Sequence, residues 1–129
     1  MNAHPQSFID YLYKFNIEAA YYECHEILEN YWMIDLDNQN QRKHYWATLI
    51  QIAVAVYHYQ NNNIKGASGI LNRVLENINI EKEHFEKLGI NVKELLVIIN
   101  QQLSNINAGI KYQKIEIPIS KQLNILLQD

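Results

Sequence analysis

With 129 residues, 48% of them apolar, the chain is long enough for one self-supporting domain and too apolar to be a disordered one. A net charge of −3 offers no positive field to a phosphate backbone, so nucleic acid is excluded as an expected partner. A single cysteine, Cys24, rules out an internal disulfide, and no apolar run approaches the roughly 18 residues that a membrane span needs.

The lone thiol suits a reducing compartment, and the start Met1-Asn2-Ala3-His4-Pro5 lacks the charged and apolar regions of a secretory signal. A cytoplasmic location is therefore expected. Gly and Pro are scarce, at 4 and 2, which favours long helices over turn-rich β structure.

Ser7 is the expected cap of a short first helix carrying Phe8, Tyr11, Leu12 and Phe15 at helical spacing. Asn16 reads as the cap of a second helix running to about Met33, followed by a polar loop from Asp35 to Asn40. On this second helix Ile17, Ala20, Tyr21, Cys24, Leu28, Tyr31 and Trp32 fall on a core arc. Beside it runs a narrow polar stripe of Glu18, Tyr22, His25 and Glu29.

A third helix, from about Gln41 to Gln60, is apolar almost all round and is the expected centre of the fold. Its polar residues His44, Thr48, Gln51 and His58 form a stripe of their own. Asn61-Asn62-Asn63 ends it. A fourth helix carries Ile64, Ala67, Leu71, Val74 and Ile78 on one face. A short piece from Glu81 to Leu88 stops at Gly89, and Asn91 with Glu94 starts a fifth long helix. Beyond it Ile115, Ile117 and Ile119 alternate with polar residues and Pro118 forbids helix. The fold class is thus all-α: an antiparallel bundle over 1–108 with one central buried helix. An extended C-terminal arm over 109–129 packs on the domain or on a second subunit, with a short helix from Lys121.

The chemistry centres on His25 and Glu29. One helical turn apart, an imidazole and a carboxylate can converge on one cation. His25-Glu26-Ile27-Leu28-Glu29 is like H-E-x-x-H with Glu in place of the second His, which removes half of that zinc-protease signature. With antiparallel neighbours, the stripes of helices two and three face one another. The metal reading takes His25, Glu29, His58 and Gln51 as ligands of a divalent cation, zinc or manganese, with Glu26 as general base. The structural reading makes the same stripes a satisfied hydrogen-bond network that sets helix register. Cys24, inside the apolar arc, reads as a small buried hydrophobe, and Trp32 as core.

The segment Tyr21 to Trp32, with His25, Glu29 and Trp32 in the pattern H-x-x-x-E-x-x-W/Y, resembles a prokaryotic domain-of-unknown-function family, number 309. Leu49 to His58 is similar to that family's central helix, and Asn62-Asn63-Ile64-Lys65-Gly66-Ala67 to the turn after it. The resemblance spans about residues 8 to 103, with Thr48 and Asn62 standing where many members have Gly. It implies a bundle around one central helix and a ligand role for His25 and Glu29, and it implies no substrate.

Two functions follow. One is a metal-assisted hydrolase. The other is a non-enzymatic module that binds a protein partner or forms a homodimer, suited by 9 tyrosines and the Ile-rich arm.

Overall fold

A computed structural model describes residues 6–37 and 43–128, with side chains for all of these except 30–37 and 43–45. The described chain is helical: α1 (Gln6–Leu12), a π-helix (Tyr13–Glu18), α2 (Tyr21–Asp37), α3 (Lys43–Gln60), α4 (Ile64–Ile80), α5 (Lys82–Lys87), α6 (Val92–Asn107) and α7 (Lys121–Gln128). It is an all-α bundle. Among the described residues no helix is long and apolar enough to cross a membrane.

Helix α3 is the centre, packed between α2 and α4. Leu49, Ile50, Ile52, Ala53, Ala55 and Val56 are all buried, as a helix apolar on nearly every side requires. The neighbours run antiparallel to it. Tyr22 near the start of α2 meets Tyr57 near the end of α3, while Thr48 reaches Glu81 beyond α4 and Gln51 reaches Asn77. Helix α1 closes one end, with Phe8 against Trp46 at 5.9 Å and the Tyr11 hydroxyl donating to the Leu49 carbonyl at 2.7 Å.

Local signals end the helices where their chemistry demands. Asn63 Oδ1 accepts from Gly66 N–H at 3.2 Å and Asn91 Oδ1 from Glu94 N–H at 3.0 Å, each satisfying an orphan first-turn donor. Asn62 and Gly89 take positive φ, 64° and 93°. Gly89 has a second reason to lack a side chain, since a Cβ there would lie 2.8 Å from Leu123 Cδ1.

The entry to α2 departs from expectation. Asn16 does not cap a helix. The chain widens into a π-helix, breaks at Ala19 in the left-handed region (φ 53°), and restarts at Tyr21. The wheel drawn from Asn16 is therefore out of phase over its first residues. Ile17, expected in the core, is 48% exposed, whereas Asn16 is buried. At its other end α2 continues to Asp37, past the expected stop near Met33. The rest of the expected loop and the chain start before Gln6 lie outside the described residues. Ile64, expected on the core face of α4, is also largely exposed.

Asn16 has another task. Its amide donates to the Ile117 carbonyl at 3.0 Å and accepts from the Ile117 N–H at 2.7 Å. On the arm's far side Asn91 N–H donates to Pro118 O at 2.9 Å, Ser120 N–H donates to Gly89 O at 2.8 Å, and Ile119 pairs with Ile90 as an antiparallel bridge. The segment before α7 thus lies pinned between the π-helix and the α5–α6 turn. Ile117 is buried, and Ile115 and Ile119 pack against the core from half-buried positions. Upstream, Tyr112 packs edge-on against Tyr21 and Tyr59, sharing a 2.5 Å hydroxyl contact with Tyr21, and the Tyr59 hydroxyl donates to Ile110 O.

Burial pushes the phenols of Tyr11, Tyr21 and Tyr59 above the ordinary 10.0. These groups stay neutral in the fold and ionise once unfolded. Their contribution is complete below pH 10 and is lost as pH rises from there towards the folded-state values. Unfolding free energy measured in urea is therefore expected to be flat in this respect between pH 8 and 9 and to fall steeply above about pH 10. A flat profile to about pH 11.5 would show these hydroxyls wet.

Candidate functional site

The residues around His25 are set by the break at Ala19. Because helix does not run through it, Glu18 leaves the stripe that spacing assigned to it. Lys14 on the π-helix instead gathers Glu18 at 2.7 Å and Glu23 at 2.8 Å, and these hydrogen bonds hold its ammonium above the usual range. The stripe that remains is Tyr22, His25 and Glu29, with Glu26 beside it.

His25 Nε2 lies 2.5 Å from Glu29 Oε2, both side chains being partly exposed. That contact puts the Nε2 proton between them. Tyr22, His25, Glu26 and Glu29 line one open hollow of about 260 Å³. Tyr22 and His25 also wall a second, of about 220 Å³, completed by Tyr21 from α2 and by Val54, Tyr57 and His58 from α3. The two hollows adjoin through their shared walls. The first ends in carboxylates, the second is bounded by rings and one valine. Tyr22 and Tyr57 stand 5.7 Å apart between centroids at 54°, a V of two tyrosine rings; Tyr22 is 56% and Tyr57 37% exposed.

His58 is held in one tautomer. Asn63 Oδ1 is taken by Gly66 N–H, so its amide NH₂ faces His58 Nδ1 at 3.1 Å. An NH₂ only donates, so Nδ1 accepts and neutral His58 carries its proton on Nε2.

Of the expected ligands, then, His25 and Glu29 touch and His58 shares a hollow with His25. Gln51 stands apart: its Oε1 accepts from Asn77 of α4 at 3.4 Å, and it lines neither hollow. Thr48 likewise turns away, donating to Glu81 Oε1 at 2.9 Å. The α3 stripe is divided because α4 covers part of it and α2 the rest. Trp32 and His44 have side chains outside the described residues. Spacing on α3 missed Val54 and Tyr57; the signal available was Val54 one turn before His58, with a tyrosine beside it.

Among the described residues the donors fall short of a zinc centre. Zinc is held by about three or four protein ligands, and among the described residues no three His, Cys, Asp or Glu side chains converge as a cation needs. His25 and Glu29 are two donors with a proton between them, and His58 lines the other hollow. Glu26 is an exposed carboxylate at the rim.

Cys24 is excluded as a nucleophile. It is fully buried, its Sγ donates to Tyr11 O at 3.5 Å, and burial, reinforced by Glu23, pushes the thiol up to about 12. At pH 8 the native protein should react with a disulfide reagent at least ~100-fold more slowly than the denatured chain. Comparable rates would place the thiol at the surface.

Comparison with known proteins adds a family and a relative. The profile of a family described as a domain of unknown function, DUF309, matches residues 8–70, which include most of α1, all of α2 and α3, and both hollows. The uncharacterized protein YpuF of Bacillus subtilis (strain 168) is 35% identical over 119 residues, covering 92% of this chain and 67% of its own length. That likeness extends well past residue 70. No solved structure matches.

Proposed function

The chain belongs to the DUF309 family, and from that premise we propose that it is a non-enzymatic helical binding module that docks a protein partner on the aromatic hollow between α2 and α3. The observation that carries this reading is the pair Tyr22 and Tyr57. They are large rings left wet on adjacent helices, in mutual contact, beside a concave apolar wall. Tyrosine in that setting brings much contact area for little side-chain entropy. At about 220 Å³ the hollow is smaller than the roughly 300–1,000 Å³ of small-molecule sites, and it suits one inserted side chain. Residence in the reducing cytoplasm belongs to the same reading, supported by the single buried thiol.

A photo-crosslinking residue at position 57, in cells producing the protein, is expected to yield a discrete adduct that Tyr22→Ser abolishes. An adduct of twice the chain's own mass would name a second copy as the partner. The same smear from position 57 as from Ile80, an exposed residue on α4, would sink the docking reading.

A second reading, a Zn²⁺ or Mn²⁺ ion at His25 and Glu29, has one observation in its favour: His25, Glu26 and Glu29 line a single hollow. A cation there stabilises the fold by mass action. If either metal raises the melting temperature of the natural protein and not of Glu29→Gln, this reading displaces the first. Equal response of the two proteins, or none, rejects it.

A further inference from the structure

We propose that the two adjoining hollows form one receptor for a single long basic side chain, lysine or arginine, presented by the partner protein. This rests on the docking reading above and adds the chemistry of the occupant.

Three observations converge. The first is the order of the surfaces. The hollow at Val54, Tyr57 and His58 is bounded by rings and an aliphatic side chain, and it shares Tyr22 and His25 with a second hollow that Glu26 and Glu29 also line. An apolar trough leading to carboxylates matches a methylene stem carrying a cationic head, the way Lys and Arg lie along apolar surface with their charge outside it. An apolar occupant leaves the acidic end unused, and an acidic one meets repulsion there.

The second is the ring geometry. Tyr22 and Tyr57 are tilted against each other and both line the same hollow, and a cation gains from a ring face within about 6 Å of the centroid. Guanidinium also stacks on such faces and binds a carboxylate with two parallel bonds.

The third is the charge balance. Neither hollow has a lysine or arginine among its described lining residues. Lys14, on the π-helix, is occupied by Glu18 and Glu23. His25 is engaged by Glu29, and the Asn63 amide faces His58 Nδ1. Among the described residues no Lys, Arg or His is paired with Glu26. A basic head entering from outside therefore completes the acidic end.

The test uses small probes on the full chain: n-butylguanidinium and n-butylammonium chlorides, n-butanol, and sodium chloride at matched ionic strength, followed by ¹H–¹⁵N NMR. The two cations are expected to shift amides at Tyr22, His25, Val54 and Tyr57, binding at least ~10-fold more tightly than n-butanol. The double variant Glu26→Gln, Glu29→Gln should weaken cation binding at least ~5-fold and leave n-butanol unchanged. Equal binding of butanol and the cations overturns the basic occupant while leaving the hollow a docking surface. Shifts matched by sodium chloride alone, or untouched by the double variant, also overturn it. The crosslink from position 57 tests docking independently of charge, so failure of the two readings is distinguishable.

Discussion

Trp46→Ala is expected to cost about 3–5 kcal/mol of unfolding free energy, a large share of the stability of a domain held by roughly 5–15 kcal/mol. Trp46 is the largest of the fully buried side chains and sits where α1 closes over the start of α3, with the Phe8 ring 5.9 Å from its own. Its removal leaves a void that neighbours tied by the Tyr11–Leu49 hydrogen bond fill only in part. Urea unfolding at neutral pH reads the loss directly. A cost under about 1 kcal/mol would show that α1 is not seated over the central helix. Trp46→Phe keeps a ring against Phe8 and should cost well under half as much.

The second large effect is expected at Asn16, and it is electrostatic in origin. Asn16→Leu keeps size and removes both hydrogen bonds, leaving the N–H and carbonyl of buried Ile117 without their partners. At about 1–3 kcal/mol for each stranded group the loss is about 2–6 kcal/mol. Asn16→Asp separates this from packing. Its carboxylate still accepts from the Ile117 N–H but faces the Ile117 carbonyl with no proton to offer. A protonated carboxyl restores the donor. Burial raises the carboxyl pKa in the fold above its unfolded value, so the variant gains stability as pH falls from 7 towards the unfolded pKa of about 4. Its deficit against the natural protein should therefore narrow between pH 7 and about pH 4.5. A deficit that does not change with pH would mean that the Asn16 amide does not clamp the arm.

How much of this protein is legible without its structure depends on the range of the interaction concerned. The caps at Asn63 and Asn91, the stop at Gly89, the buried face of α4 and the all-round apolarity of α3 are consequences of residues within four positions of one another. Composition and periodicity report them directly. The extended segment around Pro118 is equally local, because a missing N–H and a fixed φ exclude helix whatever surrounds it. His25 and Glu29 meet because a helix brings i and i+4 together, so that contact too was determined by sequence alone.

Tertiary structure decided the rest. Asn16 looks like a helix cap because asparagine usually is one. Here its amide is claimed by Ile117, 101 positions away, and the π-helix and the turn at Ala19 shift the phase of every wheel drawn through them. The polar stripe of α3 was visible, but which neighbour each member faces was not. Gln51 and Thr48 went to α4 and Glu81, His58 to the hollow, because two helices share the circumference of the central one. The V of Tyr22 and Tyr57 exists only where α2 and α3 cross. A helix wheel orders residues around one axis and carries no term for the second, so a site made between two helices is set by their packing.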